Sequence, residues 1–169
     1  MKHLFACLLV GCLAGPAWGE EFAVTFEEFL QKLEKAEPWT REKVEALLGV
    51  KLSERKPGGG RKSHRAYGQF VVAKDLIIRE IALEIEGSTE ETNILRLYLD
   101  NKSGCFTGDQ IDKLYPGGYL GMKSPGAGSS DVKEMPWGEL DFGFGPEKGF
   151  ECLTDIGIRT NIFIKRYRD

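Results

Sequence analysis

The stretch LIIREIALEIE, residues 76–86, decides the fold of this chain. Apolar and charged residues alternate along it, which is the period-two pattern of a β-strand with one buried and one solvated face. The apolar positions are Ile81, Leu83 and Ile85, and the charged positions are Glu80, Glu84 and Glu86. A row of carboxylates on a strand is more often a solvated face than an array of general acids. The stretch therefore predicts an antiparallel sheet with helices packed on one side.

Further strands are predicted on both sides of this stretch. Residues 66–74 are rich in Tyr, Phe and Val, and residues 94–100 place a leucine at every second position. A fourth strand is predicted at 140–144, where Leu and Phe alternate with Asp and Gly, and a last strand at about 150–165. The sheet should therefore have about five strands.

Three helices are predicted from apolar spacing and capping residues. Residues 25–37 should form an amphipathic helix, and residues 40–49 a second one that begins at Thr40 and ends at Gly49. A short helix should follow from Thr107 to about Tyr115. The predicted fold class is thus α+β: two N-terminal helices packed on an antiparallel sheet of about five strands, one short helix and a long loop between strands 3 and 4, and one disulfide.

Residues 116–137 have no periodic apolar pattern and are rich in Gly, Pro and Ser, which predicts the long loop. Exposed aromatic and apolar side chains on such a loop are residue types that anchor protein interfaces. The candidate partner-binding residues there are Tyr119, Leu120, Met122, Ser129, Ser130 and Trp137. The alternative is that these side chains fold back onto the sheet.

Residues 55–65 are predicted to be a second loop, because Pro57 is followed by three glycines. Several basic residues surround the glycines, and Arg61, Lys62 and His64 are candidates for a second contact with a partner. A phosphate-binding loop is a weaker interpretation, since Arg61 stands where the Walker pattern requires glycine. A plain solvated turn is the third possibility.

The N-terminal residues 1–19 are typical of a secretory signal. An uncharged apolar run follows Lys2, and Ala17-Trp18-Gly19 offers small residues for cleavage before Glu20. The run is too short for a permanent transmembrane span. The competing interpretation is a lipoprotein signal, with Cys12 as the lipid-anchored residue. Either way, residues 20–169 are expected to form a single exported α+β domain, periplasmic or, in the alternative, anchored to a membrane as a lipoprotein.

Export determines how the two cysteines outside this signal are interpreted. Cys105 and Cys152 would reside in an oxidising compartment, where an even pair usually forms a disulfide. A reactive thiol or a thiolate metal ligand is the alternative.

The remaining chemistry-bearing residues do not form a recognisable catalytic or metal-binding motif. His64 is the only histidine after residue 19, and a triad with Ser129 or Ser130 and Asp131 lacks the Gly-x-Ser-x-Gly elbow. Glu139 and Asp141 could imitate a glycosidase pair, but their spacing fits outward-facing strand residues. We therefore expect no enzyme, no metal and no cofactor. The net charge of −3 gives no electrostatic case for binding nucleic acid.

The segment TREKVEALLG, residues 40–49, resembles the helix-ending signature of the SmpA/OmlA-type envelope lipoproteins and of β-lactamase-inhibitor-like domains. The resemblance extends over residues 25–100, and Val50-Lys51-Leu52 stands where that pattern usually has a proline. It implies two short helices against an antiparallel meander and a small exported binding scaffold.

The sequence thus favours a non-enzymatic domain that binds another protein in the envelope. The leading hypothesis is a periplasmic inhibitor or immunity protein that neutralises an envelope-acting hydrolase or toxin. One alternative is a structural accessory protein of envelope assembly, possibly a lipoprotein. Another is carriage of a small ligand, which would need a sizeable internal pocket.

Overall fold

The computed structural model describes residues 24–35, 39–55, 62–86, 92–122 and 128–160. Three helices, eight strands and one 3-10 turn lie within these ranges. In chain order they are α1 (Phe26–Lys35), α2 (Arg41–Leu48), β1 (Ser53–Arg55), β2 (Lys62–Ala73), β3 (Leu76–Glu86), β4 (Thr92–Leu99), α3 (Gly108–Leu114), β5 (Tyr119–Met122), β6 (Ser129–Met135), β7 (Gly138–Phe144), the 3-10 turn (Pro146–Lys148) and β8 (Leu153–Thr160).

All eight strands belong to one sheet with the order β1-β2-β3-β4-β8-β7-β6-β5. Every neighbouring pair is antiparallel. The sheet therefore consists of two four-stranded meanders, β1–β4 and β5–β8, which are joined where β8 pairs with β4. This order puts β1 at one edge of the sheet and β5 at the other.

The two N-terminal helices begin at the predicted residues, and α2 also ends at the predicted Gly49, whereas α1 is described to Lys35 and its predicted end at residue 37 lies outside the described ranges. The backbone N–H of Thr25 donates to Glu28 at 2.9 Å and that of Glu28 donates to the Thr25 hydroxyl at 3.2 Å, which is a capping box. Thr40 caps α2 by accepting from the Lys43 N–H, and Gly49 ends it at a φ of 64°. Because only a left-handed residue can close a helix in this way, glycine suits that position.

One hydrophobic core lies between the helices and one face of the sheet. Alternate residues of β3, β4, β8 and β7 point into it, and the apolar face of α1 covers them. The sheet residues are Ile81, Leu83, Leu95, Leu97, Ile156, Ile158, Leu140 and Phe142, and the α1 residues are Phe26, Phe29, Leu30 and Leu33.

The predicted size of the sheet is wrong, because the sheet has eight strands rather than about five. Residues 116–137 were expected to be a long loop, but β5 and β6 lie within them. The inward positions of β6 are occupied by the charged Asp131 and Lys133, opposite Phe142 and Leu140 of β7. An ion pair at inward positions removes the apolar alternation by which a strand is recognised.

The short helix forms at the predicted residues, since α3 has Thr107 as N-cap and Tyr115 as C-cap, but its place in the order of elements differs. It follows the fourth strand rather than the third, because β1 was not predicted, and it leads into the second meander. The predicted loop 55–65 overlaps β1 at Arg55, and β2 begins at Lys62. Residues 56–61 lie outside the described ranges, as does the part of the predicted last strand beyond Thr160.

The predicted disulfide is confirmed: Cys105 and Cys152 are bonded, with their Cα atoms 4.9 Å apart. Thr107 forms a β-bridge with Cys152, and the Leu153 N–H donates to the Phe106 carbonyl at 2.8 Å. The bond therefore fastens the segment before α3 to the start of β8. It closes a covalent ring that contains α3, β5, β6 and β7.

Candidate functional site

Within the described residues, β5 has a neighbouring strand on one side only. β5 pairs with β6 on one side, in the register Tyr119 with Val132 and Leu120 with Asp131. It is the last strand in the order of the sheet that the described residues form. In an antiparallel strand, alternate residues direct their N–H and C=O away from the paired neighbour. Two of the four residues of β5 therefore offer these groups to another chain.

Apolar side chains flank this edge on both faces of the sheet. Leu120 is 79% exposed and Tyr119 is 49% exposed. Leu120 lies opposite Asp131, so it is on the face that carries the helices, whereas Tyr119 is on the opposite face. A long apolar side chain with this exposure on an edge strand is a feature of strands that pair with other chains.

The opposite edge of the sheet has a different character. β1 has three residues, Ser53, Glu54 and Arg55, and all three are polar and exposed. Short charged edge strands resist pairing with other chains. β1 covers only residues 63–65 of β2, and beyond them β2 exposes Tyr67 and Val71, so apolar exposure alone does not distinguish the two ends of the sheet.

A cavity of about 520 Å³ opens at the start of β5. It lies between the C-terminal end of α3 and the β5–β6 pair, and the backbone of Gly117 and Gly118 forms part of its wall. The charged residues Lys133 and Glu134 also line it. Its apolar and aromatic lining residues are Leu114, Tyr115, Pro116, Tyr119 and Met135.

Lys133 holds the wall of this cavity together. Its side chain is only 3% exposed, and its ammonium group donates to the Gly117 carbonyl at 2.7 Å and to Asp131 at 2.8 Å. It also donates to Asp112 of α3. Burial alone would lower the pKa of Lys133, but the hydrogen bonds to Asp112 and Asp131 outweigh burial, so the pKa is raised. All three donors have acceptors, so Lys133 is a structural cation.

Glycine is required where the chain enters β5. Gly118 has a φ of 101°, and a Cβ at this position would lie 2.3 Å from the Val132 carbonyl oxygen. Only a residue without a side chain can pass this close to β6 in that conformation. Gly118 therefore fixes the position at which β5 begins, next to the cavity.

Two tyrosines connect the site to the rest of the fold. Tyr115 donates its hydroxyl to Glu34 of α1, and its ring contacts Phe142 in the core. Burial, followed by the bond to Glu34, raises the pKa of Tyr115. Tyr119 donates to Glu139 at 3.4 Å, and partial burial together with the charge of Glu139 raises its pKa. Tyr115 is thus an anchor of the cavity wall, whereas Tyr119 remains available at the surface.

The structure separates the predicted partner-binding residues of segment 116–137 into two groups. Tyr119, Leu120 and Met122 lie on β5, and the exposed Ser129 begins β6. Ser130 is buried and its hydroxyl contacts the Gly121 carbonyl at 3.4 Å. Trp137 is in the turn between β6 and β7, partly buried against the core. Tyr119 and Leu120 of β5, with Ser129 at the start of β6, are therefore the exposed part of the predicted surface.

The second predicted set lies at the other end of the sheet. Lys62 is exposed on β2, His64 is buried on the same strand, and Arg61 lies outside the described residues. β2 and β5 are separated by six strand spacings, which is about 29 Å along the sheet. The two sets do not form one contiguous patch.

The residues that could have formed a Ser/His/Asp triad also lie far apart on the sheet. His64 of β2 is five strand spacings, about 24 Å, from Ser130 and Asp131 of β6. These side chains cannot meet in a triad. Glu139 and Asp141 share a sheet face, where Arg159 of β8 lies 3.9 Å from the former and 3.8 Å from the latter. Within the described ranges, no group of three His, Cys, Asp or Glu residues is arranged to hold a metal ion.

Sequence reasoning missed the Lys133 cluster and the cavity. The available signal was the spacing of Asp131 and Lys133, which places opposite charges on one face of a strand. That signal becomes informative only after residues 129–135 are recognised as a strand. Asp112, the third member, is 21 positions away from Lys133 and comes close through the fold alone.

Comparison of the chain with protein families, with characterised proteins and with solved structures gave no match. The resemblance of residues 25–100 to the SmpA/OmlA-type and inhibitor-like domains therefore stays a prediction. None of the described helices is long and apolar enough to span a membrane.

Proposed function

We propose that this chain is an exported, non-enzymatic protein-binding domain of the periplasmic inhibitor or immunity type. It would neutralise a hydrolase or toxin that acts in the envelope, by binding it at the β5 end of the sheet. The observation that carries this proposal is the exposure of Leu120 and Tyr119 on an edge strand that pairs on one side. Burying such side chains against a partner is the principal source of binding free energy at protein interfaces.

The surroundings of β5 support a rigid binding surface. The Cys105–Cys152 bond closes the ring that contains α3, β5, β6 and β7, and Lys133 ties α3 and the Gly117 carbonyl to β6. A binder that is ordered before it meets its partner loses less conformational entropy on association. The contacts would thus come from a paired strand rather than from the long loop that the sequence predicts over residues 116–137.

Affinity capture from the native envelope tests the proposal. The mature chain, residues 20–169, serves as bait, and bound proteins are identified by mass spectrometry. We expect one near-stoichiometric hydrolase or toxin, whose activity falls when the purified chain is added at equimolar concentration. A captured protein whose activity is unaffected would contradict the inhibitor function.

The Leu9-Val10-Gly11-Cys12 stretch favours a second candidate function, an accessory protein of envelope assembly. These residues lie outside the described ranges. Mass spectrometry of the mature N-terminus distinguishes the two: a chain that begins at Glu20 supports the soluble inhibitor, and an acylated Cys12 together with capture of outer-membrane assembly components supports the accessory protein.

A further inference from the structure

We propose that the partner adds an extended strand to β5 and inserts one apolar side chain into the cavity at the start of that strand, with basic residues flanking the inserted side chain. This inference rests on the proposed function, and it specifies both the binding mode and the chemistry of the partner segment.

Strand addition follows from the backbone of β5. Two of its four residues present an N–H and a C=O away from β6. A partner strand hydrogen-bonds to these groups and continues the antiparallel sheet by one strand. In this mode of recognition the main-chain hydrogen bonds supply affinity, and pockets for side chains supply specificity.

Side-chain contacts are available on both faces of the added strand. Leu120 on the helix-bearing face and Tyr119 on the other face would each pack against a residue of the incoming chain, because side chains of neighbouring strands on one face contact each other. This packing removes the exposed Leu120 and Tyr119 side chains from water.

The cavity is continuous with this edge, since Gly118 and Tyr119 both line it and Tyr119 is the first residue of β5. A volume of about 520 Å³ is ample for one leucine or aromatic side chain, and Leu114 and Met135 give it aliphatic walls. An extended segment paired with β5 would therefore carry its anchor residue at the end next to α3.

The charge around the cavity favours basic residues in the partner segment, on either side of its anchor side chain. The buried Lys133 contributes one positive charge, and its two ion-pair partners, Asp112 and Asp131, contribute two negative charges. Asp112 is 62% exposed beside the cavity. Lysine or arginine on either side of the anchor is complementary to this excess negative charge.

Short synthetic peptides with fluorescent labels test the inference directly. One set carries a run of β-branched residues to pair with β5 and, at the end of that run that lies next to α3, a Leu or Trp anchor with a Lys on each side. A second set replaces the anchor with Ser, and a third replaces the Lys residues with Glu. We expect the first set to bind and each replacement to weaken binding about tenfold.

Two variants of the protein locate the contact. Leu120→Lys places a charge on the edge and should weaken peptide binding at least about tenfold. Val71→Lys is the matched control, because Val71 is a 45% exposed apolar strand residue on β2 at the other end of the sheet. Its peptide affinity should equal that of the wild type. Equal binding by both variants would overturn the inference.

Amide hydrogen exchange of the peptide complex tests whether the peptide binds by strand addition to β5. The amides of residues 119–122 should become protected when the peptide binds. Absence of binding in the first peptide set, or binding without protection of these amides, would overturn strand addition. So would a concentration-dependent dimer that Leu120→Lys abolishes, since a second copy would then occupy β5. If capture of the envelope partner depends on Leu120 but the amides of residues 119–122 are not protected, strand addition is wrong and the proposed function still holds.

Discussion

The ammonium group of Lys133 connects α3, the Gly117 carbonyl and β6 at the base of the candidate site. At the scale of single residues it shows how a polar contact can replace apolar packing inside a sheet. Asp131 and Lys133 are both buried, and both occupy positions that face the apolar Phe142 and Leu140. A buried ion pair is tolerated only when each charge keeps its partner.

Removal of Lys133 should therefore be costly. Lys133→Met leaves Asp131 buried without its cation, and we expect the free energy of unfolding in urea to fall by about 3 kcal/mol. The double variant Lys133→Met, Asp131→Leu is the matched control, because apolar replacement of both partners should recover most of this loss. A single variant as stable as the wild type would show that the pair does not support the site.

Glu45 gives a second prediction at this scale. It accepts from the Leu52 N–H at 2.8 Å and from Arg41 at 3.0 Å, and contacts Lys51 at 3.2 Å. The backbone bond to Leu52, followed by the bond to Arg41, lowers the pKa of Glu45 from 4.5 to about 2. Because the folded pKa is the lower one, this carboxylate stabilises the fold fully above pH 4.5 and loses that effect as the pH falls to about 2.

In Glu45→Gln, unfolding free energies measured across this window should depend less on pH than those of the wild type. Glu54→Gln, on the exposed strand β1, is the control and should leave the wild-type dependence intact. If the free energy of unfolding of Glu45→Gln depends on pH in the same way as that of the wild type, the lowered pKa of Glu45 would be contradicted.

At the scale of elements, the conformation of the chain before β5 decides where the edge strand lies. Gly117 and Gly118 both have positive φ, at 87° and 101°. A Cβ on Gly117 would meet no atom within 4 Å, whereas one on Gly118 would collide with the Val132 carbonyl. A substitution at Gly117 therefore measures the free-energy cost of a left-handed backbone conformation alone. A substitution at Gly118 measures that cost together with the cost of the steric clash with β6.

Gly117→Ala should destabilise the fold by about 1 kcal/mol, which is the cost of a left-handed conformation. Gly118→Ala should cost at least about 2 kcal/mol, because β5 must also move away from β6. Thermal unfolding measures the difference, and hydrogen exchange of residues 119–122 should rise in the Gly118 variant alone. Equal effects of the two substitutions would contradict the close approach of Gly118 to β6.

The same elements show what the sequence could predict. α1, α2 and α3 were predictable from apolar spacing and caps, and β3 and β4 from alternation, because in each case periodicity and burial agree. β5 and β6 were not, since β5 is four residues long and the inward positions of β6 are charged. Tyr119 and Leu120 were identified as contact residues, but their position on an edge strand followed only from the pairing of β5 with β6.

At the scale of the whole molecule, one disulfide holds the second meander against the first. The ring closed by Cys105 and Cys152 spans 47 positions. Replacing both cysteines with serine should lower the free energy of unfolding by about 4 kcal/mol, from the entropy that the unfolded chain regains. Urea denaturation of the double variant and of the reduced wild type should agree. A loss below about 1 kcal/mol in both would show that strand pairing alone holds the two halves together.

The pairing of β8 with β4 leaves β1 and β5 at opposite ends of the sheet. β1 is short and charged and β2 exposes Tyr67 and Val71 beyond it, whereas β5 carries Leu120 and Tyr119 beside a cavity. An interaction surface at β5 leaves the β1 end free, so a substitution on β2 is a fair control for a substitution on β5.

The measurement that tests this account most directly is the dissociation constant of the captured envelope partner for three proteins: the wild type, Leu120→Lys and Val71→Lys. Leu120→Lys should weaken binding at least about tenfold, whereas Val71→Lys should bind as the wild type does. Wild-type affinity in Leu120→Lys, or an equal loss in both variants, would contradict the assignment of β5 as the binding surface.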